Sequence, residues 1–183
     1  MSEDTQGHER FMRRCIELAR EAKQQGNTPV GSVVVLDGEI TGEGREQLPT
    51  SLLLTGHAEA LACQHAVEKT GSRFLRGATL YSTAEPCFMC SYVIRQAEIG
   101  KVVYAVTTPL IGGATSAFPV LTTIELNAWK PPVLAIGGVL AEEVRQLRRA
   151  SENTDDTITA LHSTAPASPL SIRRAGRSDA ESR

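Results

Sequence analysis

From about residue 8 to 25, apolar side chains fall at Phe11, Cys15, Leu18 and Ala22, with Met12 and Ala19 beside them. This is helical spacing, and Gly26-Asn27 supplies the stop. Val30 to Leu36 is a β-branched run. Asp37-Gly38 is a two-residue hairpin signal, and Glu39 to Glu46 reads as the returning strand. A polar, leucine-containing loop leads to Gly56. Then the pattern alternates: helix over 57–69, strand from Ala78 to Thr83, helix from Cys87 to Ala97, strand from Lys101 to Val106. A Gly- and Thr-rich loop covers 107–118, and a short helix is predicted over about 119–127. A strand from Pro132 to Ile136 and a helix from Val139 to Arg149 complete the pattern. A hairpin followed by βα alternation predicts an α/β fold, a three-layer α-β-α domain whose mixed five-stranded sheet carries helices on both faces. Strands after the hairpin are expected to be parallel neighbours joined by right-handed crossovers. Such sheets place ligand sites at the carboxyl ends of strands, beside helix N-termini.

After residue 149 the periodicity stops. Residues 150–183 are rich in Ser, Thr, Ala and Pro and read as a disordered tail behind a domain over 1–149. The 183 residues include 19 Lys and Arg against 21 Asp and Glu, a formal charge of −2. Such a chain is not a polycation that holds nucleic acid by charge alone. Aromatic residues make up only 4%, which leaves few platforms for base stacking. No apolar run is long enough to span a membrane, and the charged first 20 residues do not read as a secretory signal. The expected location is cytoplasmic. There a close cysteine pair reads as metal-binding or redox-active rather than as a disulfide.

Two segments carry the candidate chemistry: His57-Ala58-Glu59 and Pro86-Cys87-Phe88-Met89-Cys90, each opening a predicted helix. Cys87 and Cys90 are three apart and share one face of a first helical turn, where thiolate is favoured. Pro86 suits a helix start. With His57 they fill three corners of a zinc tetrahedron and leave the fourth for water, the pattern of a catalytic zinc site. Glu59 is the candidate proton carrier. Residues two apart do not face the same way in mid-helix, so His57 is expected at the helix mouth, in non-helical geometry. A closed structural zinc site would need a fourth ligand from Cys63 or His65, nearly two turns down that helix. Cys15 and Cys63 read as core thiols, and His8, His65 and His162 as exposed polar residues. Gly112-Gly113 and Gly137-Gly138 read as turn glycines.

The spacing H-x-E…P-C-x-x-C is the signature of zinc nucleobase deaminases. With TPVGSVVVLDGEITGEG, GHAEALA, GATLYSTAEPCFMC and IGKVVYAV, the chain from about Phe11 to Arg149 resembles the cytidine-deaminase-like superfamily. It is most similar to the branch holding bacterial tRNA-specific adenosine deaminase, guanine deaminase and yeast-type cytosine deaminase. The resemblance implies one catalytic Zn2+ per chain held by His57, Cys87 and Cys90, hydrolytic deamination with Glu59 moving the protons, and a homodimer. It also implies substrate contacts from the Ala58 backbone N–H and a pocket wall at Val30.

The departures from that branch bear on substrate. Where the tRNA enzyme has Trp-Asn-Arg, this chain has Arg45, Glu46 and Gln47. An amide donates and accepts, whereas an ionised carboxylate only accepts, so Glu46 in the pocket favours a substrate presenting N–H donors. Where the tRNA enzyme has a basic loop, this chain has the uncharged Thr107 to Gly112. An RNA reader needs phosphate contacts, and Arg145, Arg148 and Arg149 read first as favourable charges at a helix end. The expected substrate is a small nucleobase, nucleoside or related amino-heterocycle, with tRNA-specific adenosine-to-inosine deamination as the alternative.

Overall fold

Helix α1 (Glu3–Gln24) leads into strand β1 (Gly31–Leu36), and the turn at Asp37 and Gly38, both at positive φ, returns the chain as β2 (Glu39–Arg45). Helix α2 (Ala58–Thr70), β3 (Thr79–Ala84), α3 (Phe88–Gln96), β4 (Lys101–Val106) and β5 (Leu134–Gly137) follow. A last helix, α4, covers residues 141–149. The computed structural model describes residues 3–125 and 130–149. The expected tail over 150–183, with His162, lies outside the described residues, as does the end of the predicted 119–127 helix.

The five strands form one mixed sheet in the order β2-β1-β3-β4-β5. β1 pairs antiparallel with both β2 and β3, and β3, β4 and β5 run parallel. Alternation along the strands splits the core in two. One cluster sets Val34, Leu80, Val102 and Tyr104 against Ala62, Cys63 and Ala66 of α2 and Ile94 of α3. On the opposite face Val33, Val35, Tyr81, Val103 and Ala105 meet Met12, Cys15, Ile16 and Leu18 of α1 and Val144 of α4. Each large aliphatic side chain fully buried in this way contributes about 2 kcal/mol. The three-layer α-β-α arrangement follows from two apolar faces that both need cover. No helix among the described residues is long and apolar enough to cross a membrane.

β2 packs on α2 at backbone distance. A Cβ on Gly44 would lie 2.1 Å from the Ala58 carbonyl oxygen, and one on Gly42 would lie 2.2 Å from that of Ala62. Only glycine fits there, so the strand supports the helix directly. The alternate positions, Glu43 and Arg45, face α1. Glu43 receives Arg14 Nε at 2.8 Å and Nη2 at 2.9 Å, and Arg45 reaches Gln25 and Glu21.

The short helix predicted over 119–127 does not form over 119–125, which run as turns. Their backbone groups have tertiary partners instead. Leu121 N–H donates to the Gly113 carbonyl, and Val133 N–H donates to that of Leu121. The Arg95 guanidinium, buried at the end of α3, donates to the carbonyls of Val120, Thr123 and Lys130. His8 also departs from expectation. It is half-buried, with Nδ1 3.0 Å from the Tyr81 hydroxyl, because α1 lies across β3.

Candidate active site

The carboxyl end of β3 and the N-termini of α2 and α3 meet at one point. His57 is the residue before α2, with an extended backbone (φ −74°, ψ 140°), so its ring and the Glu59 side chain converge although the two are neighbours but one. Cys87 holds the same place before α3 (φ −68°, ψ 175°), and Cys90 sits in the first turn. The donor atoms of His57, Cys87 and Cys90 all lie within 4.8 Å of one another. Cys87 Sγ is 3.7 Å from His57 Nδ1. Tetrahedral zinc with ordinary Zn–S and Zn–N bonds needs ligand separations of roughly 3.5–3.8 Å, so this donor set fits the metal.

Electrostatics favour the same use. The Cys87 thiol is pulled down to about 5, chiefly by the Cys90 sulfhydryl that donates to it, and further by the backbone N–H groups of Cys90 and Met89. A thiolate at neutral pH is the metal-binding form. Burial pushes the Cys63 thiol up to about 12 and raises that of Cys15, as core thiols require. Cys63 is not in the metal-binding group, and His65 accepts the Glu43 N–H instead, so neither supplies a fourth ligand.

Glu59 is almost fully buried, and burial raises its carboxyl above the ordinary range. Ser82 Oγ donates to its Oε1 at 2.9 Å. Glu59 and His57 line a cleft of about 270 Å³ together with Val30, Glu46, Leu48, Ala84, Glu85, Cys87, Thr108, Ile111 and Arg148. Glu46 continues the α2-facing row of Gly42 and Gly44, which places it under the N-terminus of α2. Burial pushes its carboxyl up to about 7. His57 and the N–H groups of Ala58 and Leu48 pull it back, and Glu59 adds repulsion. The structure thus gathers Val30, Glu46, His57, Glu59 and Cys87 around one cleft, with Cys90 beneath it. Ala58 is wholly buried and outside the lining, with its N–H bonded to Glu46.

Three residues with a place here were missed. Ser82 touches Glu59 from the sheet. Glu85 is buried and accepts from the N–H groups of Thr108, Ala114 and Thr115 and from Thr115 Oγ1. It therefore shapes the 108–115 wall, and Gly112 is glycine because a Cβ there would lie 2.3 Å from the Glu85 carboxylate. Its position next to Pro86-Cys87 was the available signal. Arg148 reaches the cleft and also lines a second one of about 300 Å³ with Val106, Thr107, Arg145 and Arg149.

Comparisons with known proteins agree with this geometry. A tRNA-specific adenosine deaminase of Aquifex aeolicus is 33% identical over 146 residues, which cover 78% of this chain and 97% of that protein. A solved structure from work on A-to-I editing by tRNA:A34 deaminases is 28% identical with a TM-score of 0.69, covering 75% of this chain and 97% of that one. A guanine deaminase structure from Bacillus subtilis is 36% identical with a TM-score of 0.52, covering 58% of this chain and 66% of that one. Residues 5–106 match the family described as the cytidine and deoxycytidylate deaminase zinc-binding region. With its donor triad and its sheet both in place, the chain belongs to that family and is a zinc-dependent hydrolytic deaminase.

Proposed function

We propose that the substrate is a small amino-substituted nucleobase, nucleoside or related heterocycle whose ring edge presents N–H donors, guanine being the simplest example. The observation that carries this is Glu46, a buried carboxylate on the wall of the cleft that Glu59 also lines. Once ionised, above about pH 7, this carboxyl only accepts hydrogen bonds and so selects a donor-bearing edge. The remaining walls at Val30, Leu48, Ala84 and Ile111 are apolar and suit a flat ring.

In this reading His57, Cys87 and Cys90 hold one zinc ion. When bound, the zinc lowers the pKa of water in its open position and so supplies a nucleophile. Glu59 accepts a proton from the attacking water on its carboxylate. It passes that proton to the ring nitrogen, then takes the proton of the newly attached hydroxyl and gives it to the amine, which leaves as ammonia. Burial raises the Glu59 pKa, which makes the carboxyl a better proton acceptor. Val30 and Leu48 exclude bulk water from one side of the ring. The chemistry needs reduced thiols at Cys87 and Cys90, which a cytoplasmic location supplies.

A second reading, deamination of adenosine in tRNA, is favoured by one observation. Arg145, Arg148 and Arg149 line a cleft next to the reaction site, and Arg148 belongs to both. Phosphate contacts of this kind dominate binding to RNA. We also propose pairing with a second copy, because Leu110, Phe118 and Leu54 expose 89%, 70% and 87% of their surface on the loops that lend Leu48, Thr108 and Ile111 to the cleft.

Ammonia release separates the readings. Free guanine, cytosine, their nucleosides and a tRNA anticodon stem-loop are offered to the zinc-loaded protein. Turnover of guanine or its nucleoside is the expected result. Turnover of the stem-loop alone, with steep salt dependence, selects the second reading. Glu59→Gln is expected to keep zinc and fold but lose at least about a hundredfold in kcat. Undiminished turnover would remove Glu59 from the chemistry.

A further inference from the structure

Ser82 is a buried polar residue between Leu80 and Ala84 on the α2-facing side of β3. On the α2-facing side of the β1–β3 pair, Val34 stands opposite Leu80, and one step toward the site Ser32 stands opposite Ser82. Both serines are wholly buried. A buried hydroxyl costs stability unless its hydrogen bonds are made. Ser32 donates to the Tyr81 carbonyl at 2.6 Å, which satisfies it within the sheet. Ser82 instead donates outward, to Glu59 Oε1 at 2.9 Å, and its oxygen accepts the Ala84 N–H at 3.3 Å. A chain therefore runs from the Ala84 backbone through the Ser82 hydroxyl to the Glu59 carboxylate. Ala84 ends β3, and three residues later the same strand delivers Cys87.

We propose that Ser82 is a positioning residue for Glu59. It fixes Oε1 from the sheet side, so that the second carboxylate oxygen serves the cleft, and it ties Glu59 on α2 to the strand that carries the cysteines. A small apolar side chain would fill this position as well as Val34 and Leu80 fill theirs, so packing does not account for the hydroxyl. The assignment rests on the reading of Glu59 as the proton carrier. The hydrogen bonds of the Ser82 hydroxyl go to Glu59 and to the Ala84 N–H, so it acts through Glu59.

The test compares wild type, Ser82→Ala, Ser82→Thr and Glu59→Gln, all zinc-loaded and checked for zinc content and melting temperature. Guanine and the tRNA stem-loop are the substrates. Ser82→Ala is expected to lower kcat about five- to tenfold, the size of one hydrogen bond in a rate, with KM changed less than about twofold. Ser82→Thr, which keeps a hydroxyl, is expected to recover most of the loss. Carbon-13 labelling of Glu side-chain carboxyls gives a readout that needs no turnover. The resonance absent in Glu59→Gln is expected to move in Ser82→Ala and to return in Ser82→Thr. An unmoved resonance, or a kcat equal to wild type, overturns the role of Ser82, as does a loss that appears wholly in KM. If Glu59→Gln turns over normally, the reading of Glu59 fails by itself, whatever Ser82→Ala does.

Discussion

At the scale of single residues, the proposed substrate preference rests on Glu46. Its carboxylate closes one wall of the cleft, and Glu59 occupies another. Glu46→Gln keeps the shape and replaces an acceptor-only group with an amide that also donates. We expect kcat/KM for guanine to fall roughly tenfold or more relative to cytosine, because a donor-bearing edge loses its charged partner. Competition assays with the two bases would check this, and an unchanged ratio would clear Glu46 of any part in selection. The same residue shows what was legible beforehand. His57, Glu59, Cys87 and Cys90 were readable because zinc chemistry imposes short local spacings. Glu46 was readable from the position it occupies at the strand end. Ser82 was not, since Glu59 lies 23 residues away, and Glu85 offered only its place beside Pro86-Cys87, its partners lying 23 to 30 residues on. Arg148 was read as a favourable charge at a helix end, and no local pattern indicates that this end overhangs the cleft.

At the scale of elements, the contact between β2 and α2 governs where His57 and Glu59 sit. Gly44 meets the Ala58 carbonyl and the Ala62 N–H directly, with no side chain to absorb a change. Gly44→Ala is expected to destabilise the fold by about 1–3 kcal/mol through overpacking, and to lower kcat by displacing the start of α2. Chemical denaturation with a parallel rate measurement would check both, and an unaltered midpoint would show that the helix has room to move. The hairpin was legible because Asp37-Gly38 is a strong local signal between β-branched and alternating runs. The helices were legible for the same reason, through caps and apolar period. The segment over 119–125 was misread because its fate depends on Arg95, a side chain from another element that engages its carbonyls. Short stretches follow the tertiary partner, and the pattern within them has little force.

At the scale of the whole molecule, the exposed apolar residues are unevenly placed. Leu52, Leu54, Leu110 and Phe118 each expose at least 70% of their surface, and they come from the two loops that flank the cleft. Large exposed apolar groups clustered on loops mark a contact surface. The protein is expected to sediment as a homodimer, and Phe118→Asp with Leu110→Asp to shift it toward monomer without loss of bound zinc. A wild-type monomer at micromolar concentration would refute the pairing. The mixed sheet and its two-sided core followed from the alternation of β and α elements, whereas this surface did not. Its leucines sit in loops, where no period marks them as exposed or covered.

The flush seat of α2 on Gly42 and Gly44 also acts as a length standard. Because backbone atoms and the Cβ atoms of Leu61 and Ala66 set the separation, the inner side chains at Val34, Leu80 or Ile94 are expected to vary among similar sizes without resetting where His57 and Glu59 begin. Divergence in the core is thereby uncoupled from divergence in reaction geometry. A lineage built on this scaffold can explore new substrates through the cleft walls while the reacting groups keep their calibration.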